Sequence, residues 1–203
     1  MELSPLAKEK LAKIGELTAE EKTRLKYSEQ LTSLLAEYFT NELSPDDLWK
    51  ELKRYKDEGR GFLLKDAQFK ILDAIKLSSS DMDIDKLRRG ILAAETLKDN
   101  GDYSSLEHDL RSIDGIRQQY KEERDKAYEK IKADVERQVR LAAQQLASQA
   151  AAKGATIDVQ SSVEANAKAS PEWKRFISRH ESTYGQKFGE QIARIREMLS
   201  AYR

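Results

Sequence analysis

Two histidines are the side chains of this sequence best suited to acid–base chemistry. His108 lies between Glu107 and Asp109, and His180 precedes Glu181. Neighbouring residues of a helix point about 100° apart, so neither histidine forms a ready acid–base pair with its neighbour. His180 also falls on an apolar seam, which indicates a partly buried packing residue. A metal site that combines the two imidazoles with carboxylates is conceivable, but the histidines lie 72 residues apart and nothing else in the sequence supports it, so we predict no metal and no cofactor.

Three aspartates form the second motif with chemical potential. Asp81, Asp83 and Asp85 have the spacing that opens a calcium-binding loop. Such a loop continues with glycine at its sixth position and glutamate at its twelfth. Lys86 and Leu92 occupy those positions. We therefore interpret the aspartates as an acidic first turn of a helix, where negative charge complements the helix dipole.

No remaining motif indicates catalysis. Gly59-Arg60-Gly61 is too short to cradle a phosphate, and no Lys-Ser or Lys-Thr pair follows at the spacing of a P-loop, so a turn between helices is predicted. The chain has no cysteine, which excludes disulfides and thiol chemistry. We predict that the protein is not an enzyme. An enzyme with a carboxylate-rich site inside a helical bundle is a weaker alternative.

Composition narrows the class of protein. Hydrophobic residues make up 39% of the 203 residues and charged residues 35%, with 36 basic and 36 acidic side chains evenly mixed. Binders of nucleic acids concentrate positive charge, so no nucleic-acid partner is expected. The longest apolar run has about four residues, whereas a membrane span needs about 20. We expect a soluble, cytoplasmic chain without a membrane partner.

Proline and serine mark where helices begin. Pro5, Pro45 and Pro171 each follow a serine, and serine before proline is typical of a helix N-terminus. Thr18 with Glu21 predicts a capping box at the start of another helix. No segment alternates as a strand would, apart from the very short stretch 156–159. The fold class predicted is all-α, with a helical bundle over residues 1–101.

A long helical hairpin is predicted for residues 102–203. Residues 102–153 contain no proline and one glycine, Gly115, where we expect a bend. The arms then cover about 116–153 and 171–203, joined by a connection at 154–170. The first arm has apolar residues at an 11-residue repeat, and an antiparallel, coiled-coil-like pairing buries the seams of both arms.

The far end of this hairpin is the candidate binding site. We expect Trp173 and Phe176 to meet the alanine-rich segment 141–152, and Ile157 and Val159 to lie in the connection beside them. Packing between the arms would explain these residues, and so would an apolar tip that grips a partner.

The favoured function is a non-enzymatic interaction or scaffold protein. Its helical arm would bind another protein or a second copy of the chain, so a homodimer is one expected form. The alternative is a helical chaperone or adaptor that cradles flexible client proteins between the bundle and the arm.

Overall fold

The computed structural model describes residues 18–150 and 159–201. These residues form seven helices and no strand, which confirms the all-α prediction. The helices are α1 Ala19–Phe39, α2 Pro45–Asp57, α3 Phe62–Ala74, α4 Asp81–Thr96, α5 Tyr103–Ala150, α6 Val159–Ala169 and α7 Pro171–Ala201. Among the described residues, no helix combines the length and the apolar character needed to cross a membrane.

The described residues divide into two compact units. The first contains residues 18–74 and 85–103, and the second contains 75–84, 104–150 and 159–201. The segment 75–84, which we expected within the N-terminal bundle, therefore groups with the hairpin. Side chains of α5 hold it there, as the buried Arg117 illustrates below.

Helix starts follow the local chemistry expected from the sequence. The amide of Glu21 donates to the Thr18 hydroxyl at 3.2 Å, and the Thr18 amide donates to the Glu21 carboxylate at 2.8 Å, so the capping box is confirmed. Ser44 accepts from the amide of Asp47 at 3.1 Å. The predicted start at Pro5 lies outside the described residues.

The first unit is a helical bundle around an apolar core. Helix α3 packs against both α1 and α2, which also contact each other. Burying these aliphatic side chains supplies the main driving force for folding the bundle. The fully buried core residues include Leu31, Leu35, Tyr38, Leu48, Leu52, Leu63, Ile71, Leu72 and Ile91.

A polar cluster lies within this bundle. The carboxylate of Glu95, which is almost completely buried, accepts from Gln68 Nε2 at 2.7 Å and from the amide of Asp102 at 3.0 Å. Lys98 forms an ion pair with the same carboxylate at 2.9 Å. A Cβ on Gly101 would lie 2.6 Å from the main-chain oxygen of Glu95, so the chain passes where only glycine fits.

The turn between α2 and α3 uses glycine for its backbone conformation. Gly59 has φ +77°, a conformation that side chains other than glycine rarely adopt. Its amide donates to the carbonyl of Lys56 at 2.9 Å. The predicted role of Gly59-Arg60-Gly61 as a helix–helix turn is confirmed.

The second unit contains the long hairpin, and two details differ from expectation. Helix α5 begins at Tyr103 and continues through Gly115, whereas the first arm was expected to begin at about residue 116. The expected connection between the arms contains a helix of its own, α6. Gly115 is exposed and a Cβ there would meet nothing within 4 Å, so an alanine would fit at this position.

Contacts along the hairpin show that its arms are antiparallel. Lys132 pairs with Glu164 at 3.2 Å, Tyr128 contacts Trp173, and Gln191 donates to the carbonyl of Asp109 at 3.2 Å. Residue numbers thus fall along α5 as they rise through α6 and α7. The buried seam of α7 includes His180, Tyr184, Ile195 and Leu199.

An arginine connects α5 to the first residue of α4 and to the segment just before it. The side chain of Arg117 is fully buried and donates to Asp114 at 2.9 Å, to Asp81 at 3.3 Å and to the carbonyl of Ser79. Lys121 pairs with the same Asp81 carboxylate. The hydrogen bond with Lys121 is the main cause that holds the pKa of Asp81 below its usual value.

Candidate functional site

The candidate site is a groove between α5 and α7 in the second unit, which we call the hairpin groove. Its volume is about 540 Å³. It is open to solvent and lined by charged side chains beside aromatic rings. The lining residues are Glu123 from α5 and Glu172, Arg175, Phe176, Arg179, His180, Thr183, Tyr184 and Lys187 from α7.

Four rings form a ladder from α7 to α5, which we call the ring stack, and two of them, Phe176 and His180, line the groove. Trp173 stacks on Phe176 with centroids 5.6 Å apart, and Phe176 stacks on His180 at 5.0 Å. His180 in turn lies 4.9 Å from Tyr120 of α5, with the ring planes 14° apart. Residues 173, 176 and 180 share one face of α7 because three or four residues make one helical turn. The stack therefore joins the two arms through specific contacts.

His180 is held from both sides. Its side chain is buried, and Nε2 lies 2.9 Å from the main-chain oxygen of Tyr120. A carbonyl oxygen only accepts hydrogen bonds, so Nε2 carries the proton. The other ring nitrogen, Nδ1, lies 3.7 Å from the carboxylate of Glu123. The predicted role of His180 as a buried residue of the hairpin seam is confirmed.

Tyr184 lies one turn further along α7. Its phenol is 2% exposed. Burial is the largest cause that raises the pKa of Tyr184 to about 12, followed by its hydrogen bond to the Glu123 carboxylate and the negative charge there. Glu123 thus faces both His180 and Tyr184, and it contributes an anchored negative charge to the α5 side of the groove.

Three exposed cations follow the outer edge of the groove, and we call Arg175, Arg179 and Lys187 the cation row. Arg175 donates through Nε to the carbonyl of Pro171 at 3.2 Å, and Lys187 lies 4.9 Å from the centre of the Tyr184 ring. Within residues 18–150 and 159–201, none of the three forms an ion pair with a carboxylate.

The sequence explains why Arg179 has no such partner on its own helix. Ion pairs on a helix join residues three or four apart. At those distances from Arg179 lie Arg175, Phe176, Ser182 and Thr183, none of which carries a carboxylate. Elsewhere on the chain such pairs are frequent, for example Arg111 with Glu107 and Arg140 with Glu136.

The structure brings together two of the four residues predicted to form a binding tip. Trp173 and Phe176 both belong to the ring stack, and each is half-buried. Val159 is the first residue of α6, and Ile157 lies outside the described residues. A role for these residues in partner binding stays a prediction.

The expected contact between Trp173 and the alanine-rich segment is wrong. The Trp173 ring packs on the edge of Tyr128, with centroids 5.2 Å apart. Leu141 is 13 residues further along α5, or about 20 Å at 1.5 Å per residue. The ring stack therefore lies part-way along the hairpin, because α6 brings the chain back before α7 begins.

Neither the cation row nor Glu123 was predicted from the sequence. A partial signal was present, since Arg175, Arg179 and Lys187 recur on α7 at multiples of four and Arg179 has no carboxylate three or four residues away. Glu123 carried no such signal, because its position opposite His180 depends on how the two arms are aligned.

The aspartates of the calcium-like motif have separate partners. Asp81 pairs with Lys121 and Arg117, Asp83 accepts from the Ser80 hydroxyl at 2.6 Å, and Asp85 pairs with Arg88 at 2.8 Å. In the part of the chain that the structure describes, no group of three or more His, Asp or Glu side chains could hold a metal ion.

Comparison with known proteins adds a family. The family model described as a family of unknown function, DUF6657, matches residues 49–201. The chain belongs to this family, and the match includes the whole of the hairpin groove. No curated protein and no solved structure matches the chain.

Proposed function

We propose that this member of the DUF6657 family is a non-enzymatic protein-binding protein, and that its partner binds in the hairpin groove. The observation that carries the proposal is the cation row, which has no carboxylate partner among the described residues and lies beside the half-buried ring of Phe176. Tryptophan, tyrosine and arginine are the residues that most often dominate binding energy at protein interfaces.

The ring stack supports this proposal because it fixes the shape of the groove in the free protein. His180 is buried between rings from both arms and bonded to the main chain of α5. A groove built on packed helices loses little conformational entropy when a partner binds. More of the contact energy then contributes to affinity.

A binding role also fits the state of His180 better than catalysis does. A general base needs a free ring nitrogen that faces a substrate. Nε2 of His180 already donates to Tyr120, and Nδ1 faces Glu123. This histidine therefore serves to hold the groove together.

The test compares the proteins that bind to the wild-type chain with those that bind after the charges of Arg175 and Arg179 are reversed. The tagged full chain, the R175E/R179E variant and the control K174E are incubated with an extract of the source organism, and bound proteins are quantified by mass spectrometry. Lys174 is exposed on the same helix but does not line the groove. We expect proteins retained by the wild type and K174E to be lost from R175E/R179E. The same set of proteins on all three would refute the proposal.

Light scattering on the purified chain addresses the second form of the proposal, in which the partner is another copy. A dimer that R175E/R179E dissociates and K174E does not would identify the groove as the self-association surface. A monomer at high concentration would exclude the homodimer and leave a different protein as the partner.

A further inference from the structure

We infer that the first unit binds a small aromatic anion, a molecule in which a phosphate or carboxylate is attached to a flat ring. The site is a cavity of about 640 Å³ between the first half of α1 and the turn from α2 to α3, which we call the turn cavity. Cavities that hold small molecules have volumes of about 300–1,000 Å³. The turn cavity shares no residue with the hairpin groove. The lining residues important for binding are Arg24, Tyr27, Glu58, Arg60 and Phe62.

Two arginines of the turn cavity lie over aromatic rings that belong to other elements. The guanidinium carbon of Arg60, in the turn, is 3.8 Å from the centre of the Tyr27 ring of α1. The guanidinium carbon of Arg24, in α1, is 5.1 Å from the centre of the Phe62 ring of α3. A guanidinium that covers a ring with its face keeps its N–H groups at the edge, where they can donate to an oxygen atom. Each ring thus holds a cation at the cavity and uses none of its hydrogen bonds.

The main chain of the turn fixes the position of Arg60. Its amide donates to the carbonyl of Tyr55 at 2.8 Å, and the left-handed conformation of Gly59 allows this bond to form. The side chain of Arg60 therefore starts from a defined point at the edge of the cavity. A site that is ordered before its ligand arrives loses less conformational entropy on binding.

The charges at the turn cavity favour an anion. Glu58 is the one carboxylate among the described lining residues, and it pairs with Arg60 at 2.9 Å and with Arg54 at 3.6 Å. Of the residues that the structure describes, none forms an ion pair with Arg24. Three guanidinium groups thus surround one carboxylate, and the charge of Arg24 is left for a ligand. Phosphate and carboxylate oxygens are the acceptors that a guanidinium binds most strongly.

The rings of the turn cavity indicate what the anionic group is attached to. Tyr27 and Phe62 are half-buried, so each keeps ring surface in contact with water. An inorganic anion bound to Arg24 would leave this surface wet, whereas a flat apolar group beside the anion would remove it from water. Such a group can also stack on a ring or on a guanidinium face. The ligand is therefore an aromatic phosphate or carboxylate.

Nuclear magnetic resonance on the full chain tests this inference. Isotope-labelled protein is titrated with phenyl phosphate and with benzoate, and the control compounds are inorganic phosphate, which has no ring, and benzyl alcohol, which has no charge. We expect an aromatic anion to shift the amide signals of Gly59 and Arg60, and to bind at least about tenfold more tightly than either control compound. The tighter of the two aromatic anions identifies the anionic group.

Substitutions of opposite effect separate a binding role from a structural one. R24Q should weaken binding of the aromatic anion about five- to tenfold, because it removes the unpaired charge. The matched control is K22Q, which removes the same charge from an exposed position of α1 outside the cavity. E58Q should tighten binding about three- to tenfold, because it removes the opposing charge and releases Arg60. Its control is E51Q, since Glu51 pairs with Arg54 but does not line the cavity.

Four outcomes would overturn the inference. Absence of binding at millimolar concentrations would reject the site, and equal losses in R24Q and K22Q would mean that only net charge attracts the anion. Unchanged or weaker binding by E58Q would show that Arg60 is not a donor to the ligand. Equal affinity for phenyl phosphate and inorganic phosphate would remove the rings from the site. Circular dichroism of each variant confirms that its helices are intact.

The same titration on R175E/R179E keeps this inference separate from the proposed function. Both arginines lie in the second unit, so this variant should bind the aromatic anion as the wild type does. Loss of binding in R175E/R179E would place the anion in the hairpin groove and reject the turn cavity as its site.

Discussion

The imidazole of His180 donates from Nε2 to the main-chain oxygen of Tyr120 at 2.9 Å, and its ring lies face to face with the Tyr120 ring at 4.9 Å. One side chain thus supplies both a polar and an apolar contact between the two arms of the hairpin. This relationship allows the two contributions to be separated by substitution.

Replacing His180 by phenylalanine should be tolerated better than replacing it by alanine. H180F keeps a ring in the stack and loses one hydrogen bond, which costs about 0.5–1.5 kcal/mol. H180A also removes the buried ring, for a total of about 2–4 kcal/mol. Urea denaturation followed by circular dichroism measures both. Equal losses in the two variants would show that ring packing contributes little.

Tyr184 should titrate well above an ordinary tyrosine. Its pKa is raised to about 12, whereas an unfolded chain has a tyrosine pKa of about 10. The folded state therefore holds the phenolic proton more tightly, and this contribution to stability is complete below pH 10 and is lost between about pH 10 and 12. Ultraviolet titration of wild type and Y184F isolates this group. If the difference between the wild-type and Y184F titrations had its midpoint near pH 10, the raised pKa of Tyr184 would be contradicted.

Arg117 should stabilise the second unit through its buried hydrogen bonds. R117M removes the bonds to Asp114, Asp81 and the carbonyl of Ser79, and we expect a loss of about 1–3 kcal/mol in the free energy of unfolding. R117K should recover only part of the lost free energy of unfolding. The ammonium group keeps the positive charge but cannot reproduce the planar fork of a guanidinium.

The matched control for Arg117 is Lys121, which pairs with Asp81 near the surface. An exposed ion pair contributes little to stability, so K121M should unfold at nearly the wild-type urea concentration. If K121M were as unstable as R117M, the stabilisation would come from neutralising the charge of Asp81 and not from the buried guanidinium.

Adding one methyl group at Gly101 should destabilise the bundle. The new Cβ would lie 2.6 Å from the main-chain oxygen of Glu95, and relieving that clash costs about 1–3 kcal/mol. Gly61 is the control, because a Cβ there meets nothing within 4 Å. We expect thermal unfolding to shift downward for G101A and to be unchanged or slightly raised for G61A. Similar midpoints for both variants would exclude the clash.

Gly115 should behave as an ordinary exposed helix residue. Alanine is favoured over glycine inside a helix by about 1 kcal/mol, and the site has room for the added carbon. G115A should therefore raise the melting temperature of the chain. A decrease would indicate that α5 needs the flexibility of glycine at this point.

Local chemistry explains why the helix starts were predictable. The capping box of Thr18 and Glu21, and the serine caps at Ser44 and Ser170, satisfy main-chain amides within three residues of themselves. Such bonds form in the same way whatever the rest of the chain does. Helix α5 continues through Gly115 because one exposed glycine costs too little to interrupt a long helix.

The alignment of the hairpin was not predictable in the same way. Periodicity identified the apolar faces of α5 and α7. If one helix slides by a turn along the other, the two apolar faces still meet, so periodicity does not determine which residues lie opposite each other. The contact of Trp173 with Tyr128, rather than with the alanine-rich segment, depends on where α6 ends and α7 begins. The position of Glu123 opposite His180 and Tyr184 has the same origin.

By itself the sequence determined the all-α class, the helix starts and the apolar seam on which His180 lies, since these depend on caps and on helical periodicity over a few residues. It also contained the basic residues of the cation row, among which Arg179 has no carboxylate three or four residues away on its own helix. Tertiary structure alone decided which residues of α5 face that row. The reason is physical: contacts between residues far apart in sequence depend on the path of the chain between them, and the helix α6 redirects that path.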